Sequence, residues 1–186
     1  MIEKSDEQLV EMTLEDADNF LYLMKRYEQK LFWYAKRVTN LADEDVEDVL
    51  QDAFIKTYQN LNDFDCGLKF SSWIYRITRN TAISHIRKNK NIVTLSEEDS
   101  EKIFENLSDD MDLLEEMDKE MQAEKVRGAL ESLDQKYSEV MVLKYLEDKD
   151  YKEISNILEK PMGSIATLLD RGKKNLKKLL KKNNVI

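Results

Sequence analysis

The sequence predicts an all-α protein built as two small helical domains joined by an acidic linker. Three observations carry that prediction. Only 4 of its 186 residues are Gly and 1 is Pro, which leaves few tight turns for a protein of many short strands. Apolar residues recur at spacings of three and four, the period of one helical face. Charge is also unevenly divided. Residues 1–91 carry 13 Lys/Arg against 16 Asp/Glu, residues 92–124 carry 2 against 13, and residues 125–186 carry 14 against 9.

Ser5 and Gln8 have the spacing of a capping box and open a short helix. From about Asp16, Phe20, Leu23, Tyr27, Leu31, Ala35 and Val38 share a face, so a long amphipathic helix runs to near Asn40. A second begins near Asp43 and turns Val46, Val49, Leu50, Ala53, Phe54 and Leu61 inward. Its acidic first turn suits the positive end of the helix dipole. NDFDCGLK, residues 62–69, is a loop by composition, with Gly67 free to take a positive φ. Ser71 or Ser72 then caps a third long helix, buried through Trp73, Ile74, Ile77, Ile83 and Ile86.

Residues 92–118 break the pattern. Like charge is dense there and the apolar residues are isolated, so self-repulsion predicts an extended tether. Helices resume with Val126, Leu130 and Leu133, then with Tyr137–Tyr145, then with Asp150–Leu158. A break at Lys160-Pro161 precedes a final helix from about Gly163 to Lys182. The expected plan is a domain over 1–91, an acidic linker over 92–119 and a second domain over 120–186.

No apolar run approaches the roughly 18 residues that span a bilayer, and MIEKSDEQLV lacks the features of a secretory signal. A single cysteine, Cys66, suits a reducing cytosol, so a cytoplasmic location is expected. His85, the one histidine, lies among basic residues, and Cys66 has no second thiol to complete a metal site. Gly-rich phosphate cradles are missing from the sequence. Hence no enzyme, cofactor, metal or small-molecule substrate is expected.

The net charge of −9 argues against nucleic acid only until its distribution is considered, because charges beyond about 8–10 Å are largely screened. Within YKEISNILEKPMGSIATLLDRGKKNL, residues 151–176, Ile154 and Leu158 bury one helix and Pro161 ends a short turn. Ser155 is small where the next helix must cross. Ile165, Leu169, Gly172, Leu176 and Leu179 form the inner stripe of that helix, with Gly172 allowing close approach. This is the pattern of a helix-turn-helix, which presents its second helix to the DNA major groove. Arg171, Lys173, Lys174, Lys177, Lys178, Lys181 and Lys182 follow as a row suited to phosphates.

EDVEDVLQDAFIKTYQNLNDFDCGLKFSSWIYRITRNTAISHIRK, residues 44–88, resembles region 2 of the extracytoplasmic-function (ECF) sigma factors of the sigma-70 family. LESLDQKYSEVMVLKYLEDKDYKEISNILEKPMGSIATLLDRGKKNLKKLL, residues 130–180, resembles their region 4. The resemblance implies a promoter-recognition subunit of RNA polymerase. Glu47, Asp48, Gln51 and Asp52 then correspond to the face that docks on core polymerase. Phe64, Arg76, Ile77, Arg79, Asn80, Arg87 and Lys88 correspond to the element that captures and tracks the −10 strand. Ser164, Thr167, Arg171, Lys173 and Lys174 correspond to the −35 reader. An anti-sigma factor is a further implied partner, beside core RNA polymerase and promoter DNA.

The sequence departs from the family at Ala166, Leu168 and Asp170, where relatives commonly carry Lys, Arg and His or another polar group. It departs again at Glu159, in place of the usual turn glycine. Leu168 lies off the inner stripe and is expected to be exposed. Two other classes of function fit parts of the chain: a stand-alone helix-turn-helix regulator, and a sigma-like interaction adaptor with weak −35 recognition.

Overall fold

The computed structural model describes residues 4–65, 67–89, 128–130 and 132–182. Seven α-helices organise them: α1 (Asp6–Glu15), α2 (Phe20–Thr39), α3 (Asp43–Gln59), α4 (Phe70–Asn89), α5 (Gln135–Met141), α6 (Tyr151–Leu158) and α7 (Met162–Lys182). Residues 128–130 are also helical, and no strand occurs among the described residues. The expected acidic linker, Val126 and Cys66 lie outside them.

The boundaries follow from caps. Ser5 accepts from the Gln8 amide and Gln8 accepts in return, so the capping box that opens α1 is complete. Asn40 ends α2 in the left-handed region at φ 53°, where asparagine is among the better-tolerated residues. Leu9, Leu23, Leu31, Tyr34, Val46, Val49, Phe70 and Ile74 are all essentially inaccessible and knit α1–α4 together. Each such aliphatic side chain contributes about 1.5–3 kcal/mol by leaving water.

Three local expectations for this half need correction. Gly67 does not have a positive φ. A Cβ there would instead stand 3.1 Å from Oδ1 of Asp65, which accepts the Gly67 amide at 2.9 Å; crowding in this tight turn is what favours glycine. Neither Ser71 nor Ser72 caps α4, because the helix already begins at Phe70. Ile77, Ile83 and Ile86 are only half-buried, whereas Tyr75, Thr78, Thr81 and Ala82 are buried. α4 is covered on more than one side, so a single stripe did not describe it.

In the second half α5 runs into one wide π turn, Val142–Leu146. Asp150 and Glu153 form a second capping box at the start of α6. Glu159 closes α6 in the left-handed region at φ 55°, without the conformational freedom of glycine. Ser155 Oγ donates to the Lys160 carbonyl at 2.6 Å and so ties the turn. α7 then crosses α5 at Gly172, where a Cβ would lie 3.1 Å from Met141 Cγ. Leu168 is half-buried and packed on the core rather than exposed.

The two halves also pack on each other, an arrangement that periodicity alone could not supply. α4 lies against α6, and α2 against α5 and the π turn. One contiguous cluster of buried side chains includes Leu9 and Ile74 from the first half and Leu143 and Leu169 from the second.

Candidate polymerase and nucleic-acid faces

Four sequence-predicted residues share one side of α3. Glu47, Asp48, Gln51 and Asp52 are all exposed, and none of the three carboxylates is ion-paired among the described residues. Beside them runs an open groove of about 1040 Å³ between α2 and α3, lined by Phe32, Trp33, Glu47, Gln51, Ile55 and Tyr58 among others. Trp33, Ile55 and Tyr58 are 47%, 54% and 45% exposed. The sequence reading missed these apolar members. Their signal was present, since large apolar residues off the inward stripe of an amphipathic helix mark a second contact face. An acidic ridge beside an aromatic groove suits a helical partner with basic residues along one edge.

α4 carries the second group, and its members are not equivalent. Phe64 is a core residue, 7% exposed, with its ring 5.6 Å from Phe70 and 5.2 Å from Trp73; it props the 64–69 turn and does not face solvent. Ile77 is half-buried against the same core. Asn80, Arg87 and Lys88 are exposed.

Arg76 and Arg79 face the second half of the protein. Arg79 makes a two-pronged contact with Glu139 of α5, Nε to Oε1 at 2.5 Å and Nη2 to Oε2 at 3.1 Å. Burial pulls the guanidinium pKa down, but the hydrogen bond and charge of Glu139 more than offset this and hold it above its usual value. Arg76 lies 3.8 Å from Glu159.

Other pairs extend this seam. Lys69 lies 3.2 Å from Glu153 and 3.6 Å from Asp150, and the hydrogen bond it donates to Glu153 raises its pKa. Glu147 accepts from Tyr75 at 2.6 Å and from Arg37 at 3.2 Å. Lys149 stands 4.6 Å over the Tyr75 ring, and burial lowers its pKa. Desolvation likewise pushes the Tyr34 and Tyr75 hydroxyls up, Tyr75 with help from its bond to Glu147.

The third group, on α7, is displayed differently. Ser164, Lys173 and Lys174 are exposed, and Thr167 and Arg171 half-exposed. Thr167 donates to the Gly163 carbonyl of its own helix. Lys174 pairs with Asp170 at 2.9 Å, and the Lys173 ammonium lies 5.8 Å over the Tyr145 ring. Lys177, Lys178 and Lys181 continue the basic row in solvent.

Comparison with known proteins matches residues 23–92 to Sigma-70 region 2 and residues 123–176 to Sigma-70 region 4. The chain is 32% identical over 171 residues to the ECF RNA polymerase sigma factor SigW of Bacillus subtilis (strain 168), covering 89% of this chain and 91% of that one. The chain belongs to the ECF sigma factors. It is therefore a sigma factor that directs transcription initiation. The ECF RNA polymerase sigma-E factor of Escherichia coli (strain K12) is 30% identical over 176 residues, 91% of either chain.

Among solved structures, CnrH in complex with the cytosolic domain of CnrY superposes with a TM-score of 0.69 at 21% identity. That match covers 96% of this chain and 99% of the other. The sigma factor RpoE of Bartonella quintana, solved with the anti-sigma factor NepR, gives 0.63 at 21% identity over 88% and 97%. At these identities the likeness concerns the fold: two helical sigma domains. A stand-alone regulator would leave the region 2 match without a role.

Within this family frame, Glu159 keeps the left-handed turn of the helix-turn-helix although it is not glycine. Asp170 lies beside a lysine that neutralises it.

Proposed function

We propose that the chain works through three separate faces, with residues 1–91 acting as region 2, 92–119 as a linker and 120–186 as region 4. Glu47, Asp48, Gln51 and Asp52, with the neighbouring Trp33 and Tyr58, dock on core RNA polymerase. α4 takes the non-template strand at the −10 element: Asn80 and Ile77 border a pocket for an unstacked base, and Arg76, Arg79, Arg87 and Lys88 follow the backbone. Extruding a base costs a few kcal/mol, which polar edges in a preformed pocket recover while testing its identity. Phe64 holds the turn from behind. α7 enters the −35 major groove through Ser164, Thr167 and Arg171, with Lys173 and Lys174 on phosphates.

The observation that supports this reading most directly is the spatial sorting of charge. Carboxylates crowd the exposed side of α3 while lysines crowd the exposed side of α7, so a chain of net charge −9 presents a cationic face to DNA. The protein works in the cytoplasm and performs no catalysis of its own. No described helix is long and apolar enough to cross a membrane. Its inhibitory partner is an anti-sigma factor, as in the RpoE–NepR complex whose fold it shares.

Charge reversal at Asp48 and Asp52 tests the docking face. It should weaken core polymerase binding at least tenfold, about 1.4 kcal/mol, with helicity unchanged; unaltered affinity refutes the assignment.

A further inference from the structure

The charged rows of α3 and α7 are complementary in sign and equal in spacing. Glu44, Asp48 and Asp52 stand four residues apart on α3, all exposed, with Glu47 beside them. Lys173, Lys177 and Lys181 stand four residues apart on α7, also exposed, with Lys174 and Lys178 beside them. Four residues advance a helix by about 6 Å, so each row sets out its charges at the same interval. No ion pair among the described residues joins the two rows. Within the chain α3 packs on α2 and α4, and α7 on α5 and α6.

We infer that the α3 ridge of one copy accepts the α7 lysine row of a second copy, joining chains head to tail. Like charges four residues apart destabilise their own helix. Laying the two rows side by side sets attraction against that repulsion at every step. The groove beside the ridge adds surface for the lysine stems. Trp33 and Tyr58 are 47% and 45% exposed there, and an ammonium is drawn to the face of such a ring while its stem covers apolar surface. α7 already makes one contact of this kind, where Lys173 lies 5.8 Å over the Tyr145 ring.

A net charge of −9 makes whole copies repel each other, but this does not prevent the contact. At 0.1 M salt charges more than about 10 Å apart are largely screened, whereas the rows meet at contact distance. The contact is heterologous, because the two surfaces differ. Each joined pair leaves one ridge and one lysine row open, so assembly continues with concentration rather than stopping at two. This association goes beyond the proposed binding of polymerase and DNA and does not depend on it.

The test measures the mass of the full chain by sedimentation equilibrium at concentrations up to roughly 1 mM, the weak end of specific association. At about 0.1 M salt the mass should rise with concentration above that of one chain. At about 1 M, where the screening length is about 3 Å, it should return to that of one chain. Asp48→Lys with Asp52→Lys reverses the ridge, and Lys177→Glu with Lys178→Glu reverses the row. Each double variant alone should stay a single chain while keeping the helicity of the parent. Mixed in equal amounts they should associate again, because each reversed face then finds its complement. Both variants remain net negative, so attraction between whole molecules does not produce that result.

A parent chain that stays single at every concentration overturns the inference and leaves the ridge to other partners. Association that survives 1 M salt also overturns it. If only the lysine variant dissociates, the row meets carboxylates other than those of α3; if only the ridge variant does, the ridge meets other cations. Either result refutes the pairing, as does a mixture that fails to associate. Should a reversed variant lose helicity, Asp48→Asn with Asp52→Asn and Lys177→Gln with Lys178→Gln replace them, and each must abolish the association.

Discussion

α4 and α7 look alike in the sequence, each a long helix with basic residues toward its C-terminal end, yet their cations live in different surroundings. On α7 the lysines are exposed, and Asp170 pairs with Lys174. On α4 the two central arginines are drawn into contacts with another domain, and only Arg87 and Lys88 at its end remain in solvent. Counting charges predicts two equal DNA-binding helices. What distinguishes the two helices is the company their cations keep, not their number.

Alkaline titration should separate the two helices most strongly. The Tyr27, Tyr34 and Tyr75 hydroxyls are held above the ordinary value near 10 by burial first and by neighbouring carboxylates second. A raised folded pKa contributes stability fully below pH 10 and loses it as pH rises further. Each such group should cost about 1.4 kcal/mol per pH unit above 10. α7 has no tyrosine, so loosening should begin around α2 and α4. Tyrosinate absorbance should therefore rise in two stages, the later one coinciding with loss of helicity. A single early rise with the helices intact would contradict the burial.

Gly172→Val comes next. Its side chain would meet Met141 at the α5–α7 crossing and should cost about 1–3 kcal/mol in urea unfolding. It should also tilt α7 and weaken duplex binding, with little effect on α4. Stability equal to the parent would show that the crossing has room to spare.

Lys173→Ala with Lys174→Ala should have the smallest effect on folding, within about 0.5 kcal/mol. The slope of log affinity against log salt for duplex promoter DNA should nevertheless flatten by about two. An unchanged slope would remove these lysines from the phosphate contacts.

Much of this architecture was legible in the sequence because helices announce themselves locally. The Ser5–Gln8 box, the α2 stripe, the Pro161 turn and the Gly172 crossing all depend on residues within a few positions or on a small side chain at a contact. The misses share the opposite property. At Gly67 composition suggests conformational freedom, whereas the crowding by Asp65 that favours glycine there depends on the turn's own geometry. Tyr75 stood off the expected stripe because the surface covering it comes from residues far along the chain. The pairing of Arg79 with Glu139, 60 residues apart, had no local signal. Exposed Trp33 and Tyr58 do carry a local signal, as large apolar residues on the outer faces of α2 and α3.

Reconstituting the purified chain with core RNA polymerase on promoters mapped after its overexpression tests the sigma assignment most directly. Transcripts should start at defined sites only when the chain is present, and Asp48→Lys with Asp52→Lys should abolish them. Equal transcription from those sites with core enzyme alone, or no start site even at low salt, would contradict it.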